Sequence, residues 1–384
     1  MSRIAPSILD AWLAKQCGAD ITDVSITDVG ITDAGITNAG LANLTETLRA
    51  EQLTRLRAQL DYARTRSRFY RGHLKEVPEK HFSWNDLPSL PFTSAQDLHD
   101  WKSFLCVSQD HVERIVTIDS SGTSGPPKRL AFSQADLAAT RDFFQIGMAQ
   151  LVHRGDRALA LWPGARRPHG VSALLREALG ETGVRVFAGE PLTSPDSLRR
   201  ELAEYNPHVL IAAPRQLVAL VALLSGEHSL DVQRLALRGI LSSAESLPPA
   251  LAHILQNRYG LLVLEHYGLT ESGYGGGVEC PAHDGYHLRE LDILVEIVDI
   301  ESSMPLPAGQ EGEIVMTTLT RQAMPLIRYR TGDVASMLPG PCRCGSPLRR
   351  LSAIKGRIVR KGAGYRIKNI AKGHFCERTA HASL

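Results

Sequence analysis

The sequence predicts an α/β protein in which parallel βα units are followed by a smaller antiparallel β unit. Between about residues 157 and 259, short apolar segments of β character alternate with helical patterns, as right-handed crossovers in a largely parallel sheet require. From about residue 286 the texture changes to strand and turn, in DILVEIVDI, GEIVMTTL and PLIRYRTGD, which suits an antiparallel unit. With 384 residues and 43% apolar content, the chain is long enough to bury a core across two or three packed units.

The first element in chain order is ITDVSITDVGITDAGITNAGLANL, Ile21 to Leu44, which repeats every five residues. About one turn of a pentapeptide coil cannot bury a core alone, so a surface extension is the favoured reading. Leu48, Leu53, Leu56 and Leu60 then recur near helical spacing among Arg, Glu and Gln, an amphipathic helix. LPSLPFTSAQDL brings two proline turns and a helix N-cap at Thr93 or Ser94. The strand-like RIVTI precedes SSGTSGPPK, and a helix follows whose Ser133 and Asp136 have the spacing of a capping box. RALALW, VRVFA, VLIAA and RGILSS are then each followed by a helix, around Leu174 to Leu179, Leu198 to Tyr205, RQLVALVALL and PPALAHILQNRY.

Charge and composition exclude several classes. Lys plus Arg total 43 against 41 Asp plus Glu, so no global field draws the chain to nucleic acid or an anionic membrane. Neither a span of about 18 apolar residues nor a secretory leader is evident, which makes the cytoplasm the expected compartment. Cys17, Cys106, Cys280, Cys342, Cys344 and Cys376 are too sparse for a disulfide scaffold, leaving reduced thiols or a metal site.

SSGTSGPPK has the ingredients of a phosphate cradle. It is not a Walker loop, because Gly122 and Gly125 stand too close together and Lys128 lies between Pro127 and Arg129. Gly122 and Gly125 still let the backbone approach an anion, Ser120, Ser121, Thr123 and Ser124 can donate hydroxyls, and Lys128 adds a charge. From this loop alone, a plain surface turn is nearly as good a reading.

Downstream motifs break the tie. SSGTSGPPK, HYGLTES, GEIVMTTL and IRYRTGD occur in one order, and together they resemble the adenylate-forming superfamily of acyl-CoA synthetases. LPFTSAQDL, GVEC with GYHL, and LPGPCRCGSPLRRLSAIKGR resemble its phenylacetate-CoA ligase branch, over about residues 50 to 357. The resemblance implies an adenylation core at 46–355, a 1–45 extension and a remnant of a C-terminal domain at 356–384. It also implies a reaction in which ATP and a carboxylic acid, with an aryl acid such as phenylacetate favoured, give an acyl-adenylate and pyrophosphate, followed by transfer to coenzyme A.

Site roles follow from the same resemblance. The loop residues and Lys128 would hold the β- and γ-phosphates, Thr270 the α-phosphate, and Glu271 a Mg²⁺ ion. Asp333 would bind the ribose hydroxyls; Tyr267 and Gly268 would lie at the adenine, as would Ala244 and Glu245 of SSAES, more loosely matched. Arg357, in the Gly-Arg pair at 356–357, completes the nucleotide set. Cys280, His287, Cys342 and Cys344 could form a Cys₃His structural zinc site of the kind that branch carries, with His283 as the rival histidine. A homodimer is expected by analogy.

The sequence departs from the family after Arg357. Ile358 and Val359 replace the acidic hinge pair, and the segment carrying the catalytic lysine is not matched; Lys361, Lys368 and Lys372 have no context that marks a replacement. Three readings stay open: an acid-adenylating ligase, completed weakly or by a separate partner protein; an adenylyltransferase without a coenzyme A step; or a nucleotide-binding protein impaired in catalysis. The acid itself is not legible. PGARRPHG, with Arg166, Arg167 and His169, reads better as an exposed loop than as a pocket wall.

Overall fold

In the computed structural model, the residues described are 38–369 apart from 79–81, 119–126, 166, 193, 226–230, 232–233, 347 and 362–363, together with the pairs 31–32 and 35–36. Most of the five-residue repeat thus lies outside the described residues. Its last part, from Asn38, belongs to the long helix α1, Asn38–Arg66.

α1 buries Leu48, Leu56, Leu60 and Ala63, the apolar stripe expected from its spacing. Two glutamines on the same helix are also buried. Gln52 donates to the Glu290 carbonyl at 2.8 Å and Gln59 to the Arg321 carbonyl at 2.7 Å, so their amides satisfy backbone groups more than 200 residues away. A short helix, α2 (Arg68–His73), starts on Ser67, whose hydroxyl accepts from the Tyr70 amide.

The main sheet has eight strands. Its parallel part contains β3 (Arg157–Leu161), β4 (Arg185–Gly189), β5 (Val209–Ala212), β6 (Gly239–Ser242) and β7 (Leu262–Tyr267), ordered β4-β3-β5-β6-β7. Helices α4 (Val171–Glu181), α5 (Pro195–Tyr205), α6 (Pro214–Ser225) and α7 (Pro249–His253) make the crossovers. These strands are mostly apolar, with Glu265 and His266 near the end of β7, and period-two geometry splits their apolar residues between two cores. Ala158, Ala160, Val209, Ile211 and Leu264 face one core with Leu174 and Leu179 of α4. Leu159, Leu161, Leu210, Ile240 and Val263 face the other with residues of α5, α6 and α7.

Three short antiparallel strands extend the sheet beyond β7: β8 (Gly277–Val278), β9 (Tyr286–Leu288) and β13 (Arg350–Leu351). The change of texture near residue 286 therefore does not coincide with a change of sheet. The smaller antiparallel sheet contains β10 (Ile293–Val298), β11 (Glu311–Thr318), β12 (Tyr329–Ser336), β14 (Gly356–Lys361) and β15 (Gly364–Asn369). Gly356 and Arg357 pair with Val334 and Asp333, so β14 and β15 continue this sheet directly.

A separate hairpin, β1 (Arg114–Ile118) and β2 (Lys128–Phe132), is closed by the pairing of Ile118 with Lys128. Lys128 thus begins a strand. The helix α3, Gln134–Met148, follows with the expected capping box on Ser133 and Asp136. Asp136 does more than cap, since its carboxylate also accepts from the amides of Gln322 and Ala323. That ties the α3 start to the segment leading into β12.

Candidate active site

The motif residues converge at the C-terminal ends of the parallel strands, the usual crevice of an open α/β sheet. Tyr267 and Gly268 leave the end of β7 and lead into a turn closed by the Gly273 amide on the Thr270 carbonyl, 3.0 Å, and the Tyr274 amide on the Leu269 carbonyl, 2.9 Å. This turn carries Thr270 and Glu271. Gly268 is required by close approach: a Cβ there would sit 2.6 Å from His266 Cε1 and 2.9 Å from the Tyr274 carbonyl oxygen.

Glu271 is buried and meets the start of β2. The Lys128 ammonium donates to Glu271 Oε1 at 2.7 Å, and the Tyr329 hydroxyl donates to the same oxygen at 2.9 Å. Burial alone would raise this carboxyl, but the Lys128 charge and the hydrogen bonds of Lys128 and Tyr329 outweigh it and hold Glu271 below the ordinary carboxylate range. Both contacts fall on Oε1. A carboxylate kept charged in this way suits a hard divalent cation.

Tyr329 opens β12 because Thr93 pins it there. The Thr93 amide donates to the Arg328 carbonyl and its own carbonyl accepts from the Arg330 amide, while its hydroxyl donates to the Ile327 carbonyl at 2.7 Å. The helix N-cap expected at Thr93 or Ser94 falls instead on Gln96, ahead of the 3-10 helix Asp97–Phe104; Ser94 pairs reciprocally with Asp97 in the turn before it, because Thr93 is taken up by β12. Arg328, fully buried, forks onto Glu296 at 3.0 and 3.1 Å and holds the same strand from its other side.

Four residues along β12 lies Asp333, also buried. It accepts from Arg357 Nε at 2.9 Å and from the Tyr267 hydroxyl at 3.2 Å. Burial raises its carboxyl above the ordinary value, against the opposing pull of Arg357. Asp333, Tyr267 and Arg357 therefore form one cluster, and Lys128, Glu271 and Tyr329 another, bridged by β12.

Beside Thr270 is a cavity of about 250 Å³, walled mostly by apolar side chains including Phe143, Met148, Val171 and Leu175. Ala244 forms part of its wall with φ of 76°, a left-handed conformation uncommon for a residue with a Cβ. Glu245 turns outward to an ion pair with Arg215 at 2.8 Å. Arg167 is exposed and His169 pairs with Glu113; neither is part of the cavity wall. Composition gave no signal for this cavity, since its walls come from two helices and four strand ends. A larger cleft of about 730 Å³, between α1 and residues 106–111 and 320–322, contains none of the motif residues. Size does not mark the site here; chemistry does. Ser120, Ser121, Gly122, Thr123, Ser124 and Gly125 lie outside the described residues.

Cys280, His287, Cys342 and Cys344 also come together, with their ligand atoms all within 4.8 Å of one another. Cys280 Sγ lies 3.6 Å from Cys342 Sγ, and Cys344 Sγ 3.5 Å from His287 Nε2. Zinc bonds of about 2.3 Å to sulfur and 2.0 Å to nitrogen give a tetrahedron with edges of about 3.5–3.8 Å, so the donor set fits. His283 stands apart, between Glu279 and Gln256.

A parallel αβ core with Glu271 beyond the end of β7, Lys128 opening β2 against it, and Asp333 on the adjoining antiparallel sheet is, with the family match that follows, the frame of an AMP-forming ligase. The chain belongs to the AMP-binding enzyme family, which it matches over residues 48–320. It is 32% identical over 325 residues to a phenylacetate-coenzyme A ligase of Thermus thermophilus, covering 81% of this chain and 71% of that one. It is 29% identical over 333 residues to the Escherichia coli enzyme of the same name, with the same coverage. In fold it is similar to 2-hydroxyisobutyryl-CoA ligase, with a TM-score of 0.72 at 21% identity over 83% of this chain and 70% of that structure. Among the described residues no helix is long and apolar enough to cross a membrane.

Proposed function

We propose that this chain uses ATP and Mg²⁺ to adenylate a small, largely apolar carboxylic acid and passes the acyl group to coenzyme A. The observation that carries the reading is the apolar cavity bounded by Thr270, next in sequence to the buried Glu271 held by Lys128. At about 250 Å³ it is smaller than the roughly 300–1,000 Å³ of pockets for drug-sized ligands, which favours a compact acid such as an aryl acetate.

In this reading the cavity holds the acid's apolar part and turns its carboxylate toward Thr270. Attack of a carboxylate oxygen on the α-phosphorus forms the new P–O bond and breaks the bond to pyrophosphate, so neutralisation and in-line placement are the protein's main tasks. Lys128 moves from Glu271 to the departing phosphates. Glu271 is the residue that would hold Mg²⁺, which would supply neutralisation of the phosphate charge, and Tyr329 keeps its carboxylate oriented. Asp333 exchanges its bonds with Tyr267 and Arg357 for ribose hydroxyls. Lys128 and Arg357 are the cations that the described residues bring to these two carboxylates.

The Cys₃His cluster is proposed as a structural zinc site. It would join the connection after β8 to the turn before β13, and so brace the antiparallel edge next to Tyr267. A homodimer, and a separate protein that completes thioester formation, are further expectations that coenzyme A turnover measurements and solution mass can address.

The test is ATP–pyrophosphate exchange across a panel of aryl and aliphatic acids, followed by mass detection of a thioester on adding coenzyme A. Acid-dependent exchange plus thioester is expected. ATP binding without exchange for any acid would overturn the ligase reading.

A further inference from the structure

The cavity beside Thr270 is walled mostly by apolar side chains, and β7 contributes one of its few polar ones, His266. Its imidazole lies 6.0 Å, centroid to centroid, from the ring of Phe143, and Nδ1 is 2.9 Å from the hydroxyl of Ser243. All three side chains belong to the cavity wall. His266 Nε2 is buried and has no hydrogen-bond partner. Leaving a buried nitrogen unpaired is destabilising, and an apolar residue of similar size would avoid that cost. Burial also lowers the imidazole to about 4, so it is neutral at physiological pH and offers a hydrogen bond without a charge.

The other polar wall groups are already engaged or assigned. Ser243 is bound to His266, and Thr270 belongs to the phosphate end. Tyr274 has an unpartnered hydroxyl as well, and Arg114 Nη1 is likewise unpartnered; burial raises the Tyr274 hydroxyl while the neighbouring Arg114 opposes that rise, so these two groups are assigned to each other.

We infer that the acid bound here carries a hydroxyl group on its apolar portion, and that His266 Nε2 selects for it. This inference rests on the proposed acid-ligase function and sharpens its substrate class to hydroxylated, compact acids. A hydroxyl is singled out among substituents because it both donates and accepts. If Ser243 donates to Nδ1, Nε2 carries the proton and donates to the substrate oxygen; if Ser243 accepts, Nε2 accepts the substrate proton. Either tautomer is matched. A site built to bond a hydroxyl discriminates strongly against the analogue lacking it, since the protein group is then stranded.

The test uses the full chain and needs no turnover. Non-hydrolysable acyl-sulfamoyl adenosines made from phenylacetate and from its 2-, 3- and 4-hydroxy forms are titrated by calorimetry. At least one hydroxylated analogue is expected to bind tenfold or more tightly than the plain one. His266→Phe should cut that ratio to near one, and His266→Gln, which keeps a hydrogen-bonding group, should retain part of it. Unfolding curves of both variants identify any loss of fold, and the wild-type ratio stands independently of them. Equal or tighter binding of the plain analogue by the wild type overturns the hydroxyl inference and leaves the ligase reading intact. Binding of no analogue overturns both.

Discussion

The ammonium of Lys128 lies 2.7 Å from Glu271 Oε1, though the two residues are 143 positions apart in the chain. One residue sits at the end of a phosphate-loop sequence and the other in the turn after β7. Their pairing means that the site neutralises itself before any nucleotide enters. Lys128→Ala leaves the buried Glu271 carboxylate with only the Tyr329 hydroxyl as its named side-chain partner. We expect this variant to lose about 2 kcal/mol in urea unfolding of the free protein, less than for a fully buried pair because Lys128 is partly exposed. Glu271→Gln should cost less stability but remove the Mg²⁺ dependence of nucleotide binding; a variant with unchanged metal dependence would sink the assignment of Glu271.

Asp333 presents the opposite balance. Its carboxyl is raised by burial, so the folded state holds its proton to higher pH than the unfolded chain does. Such a group reduces stability as pH climbs from about 4 through its raised value. Asp333→Asn should therefore melt higher than the parent at pH 7, with the advantage vanishing near pH 4, while ATP affinity falls at least tenfold. A variant less stable than the parent at pH 7 contradicts this.

For the Cys₃His cluster, elemental analysis of purified protein should find one zinc per chain, and X-ray absorption should show three sulfur ligands and one nitrogen. Removing the metal with a strong chelator, or making Cys342→Ser, should lower the melting temperature by roughly 5 °C. Metal content unaffected by Cys342→Ser would exclude the assignment.

Gly275 offers a probe of the cavity from behind. An added Cβ would lie 2.2 Å from two ring carbons of Phe143, which must then swing toward the acyl cavity it lines. Overpacking of this kind costs about 1–3 kcal/mol. Gly275→Ala is expected to raise the KM for the acid about tenfold, with a smaller effect on the KM for ATP; equal effects on both would place Phe143 outside acid binding.

Much of the architecture was legible in the sequence because it depends on local periodicity. The alternation RALALW, VRVFA, VLIAA and RGILSS with helical segments became β3 to β6 and their crossovers, and the Ser133 capping box formed as spaced. The small sheet was legible for β10, β11 and β12. Strand and turn do prevail from 286 onward, but that β9 and β13 join the main sheet by long-range pairing is something no local pattern encodes. The buried glutamines of α1 are similar: an amide reads as solvent-facing until its distant carbonyl partner is known.

The sequence by itself determined the family, and its motifs named Lys128, Tyr267, Thr270, Glu271 and Asp333 as candidates, since these stand in short segments that match that family. The family resemblance likewise offered Cys280, Cys342 and Cys344, with His287 or His283, as a candidate metal-ligand set. Only tertiary structure decided which of these groups meet. It paired Lys128 and Tyr329 with Glu271, gave Arg357 and Tyr267 to Asp333, chose His287 over His283, and turned Glu245 outward. It alone made the apolar cavity beside Thr270 and left His266 Nε2 without a partner, because a cavity is the space between side chains from many elements, and its shape and its orphaned hydrogen-bond groups exist only once those elements have packed.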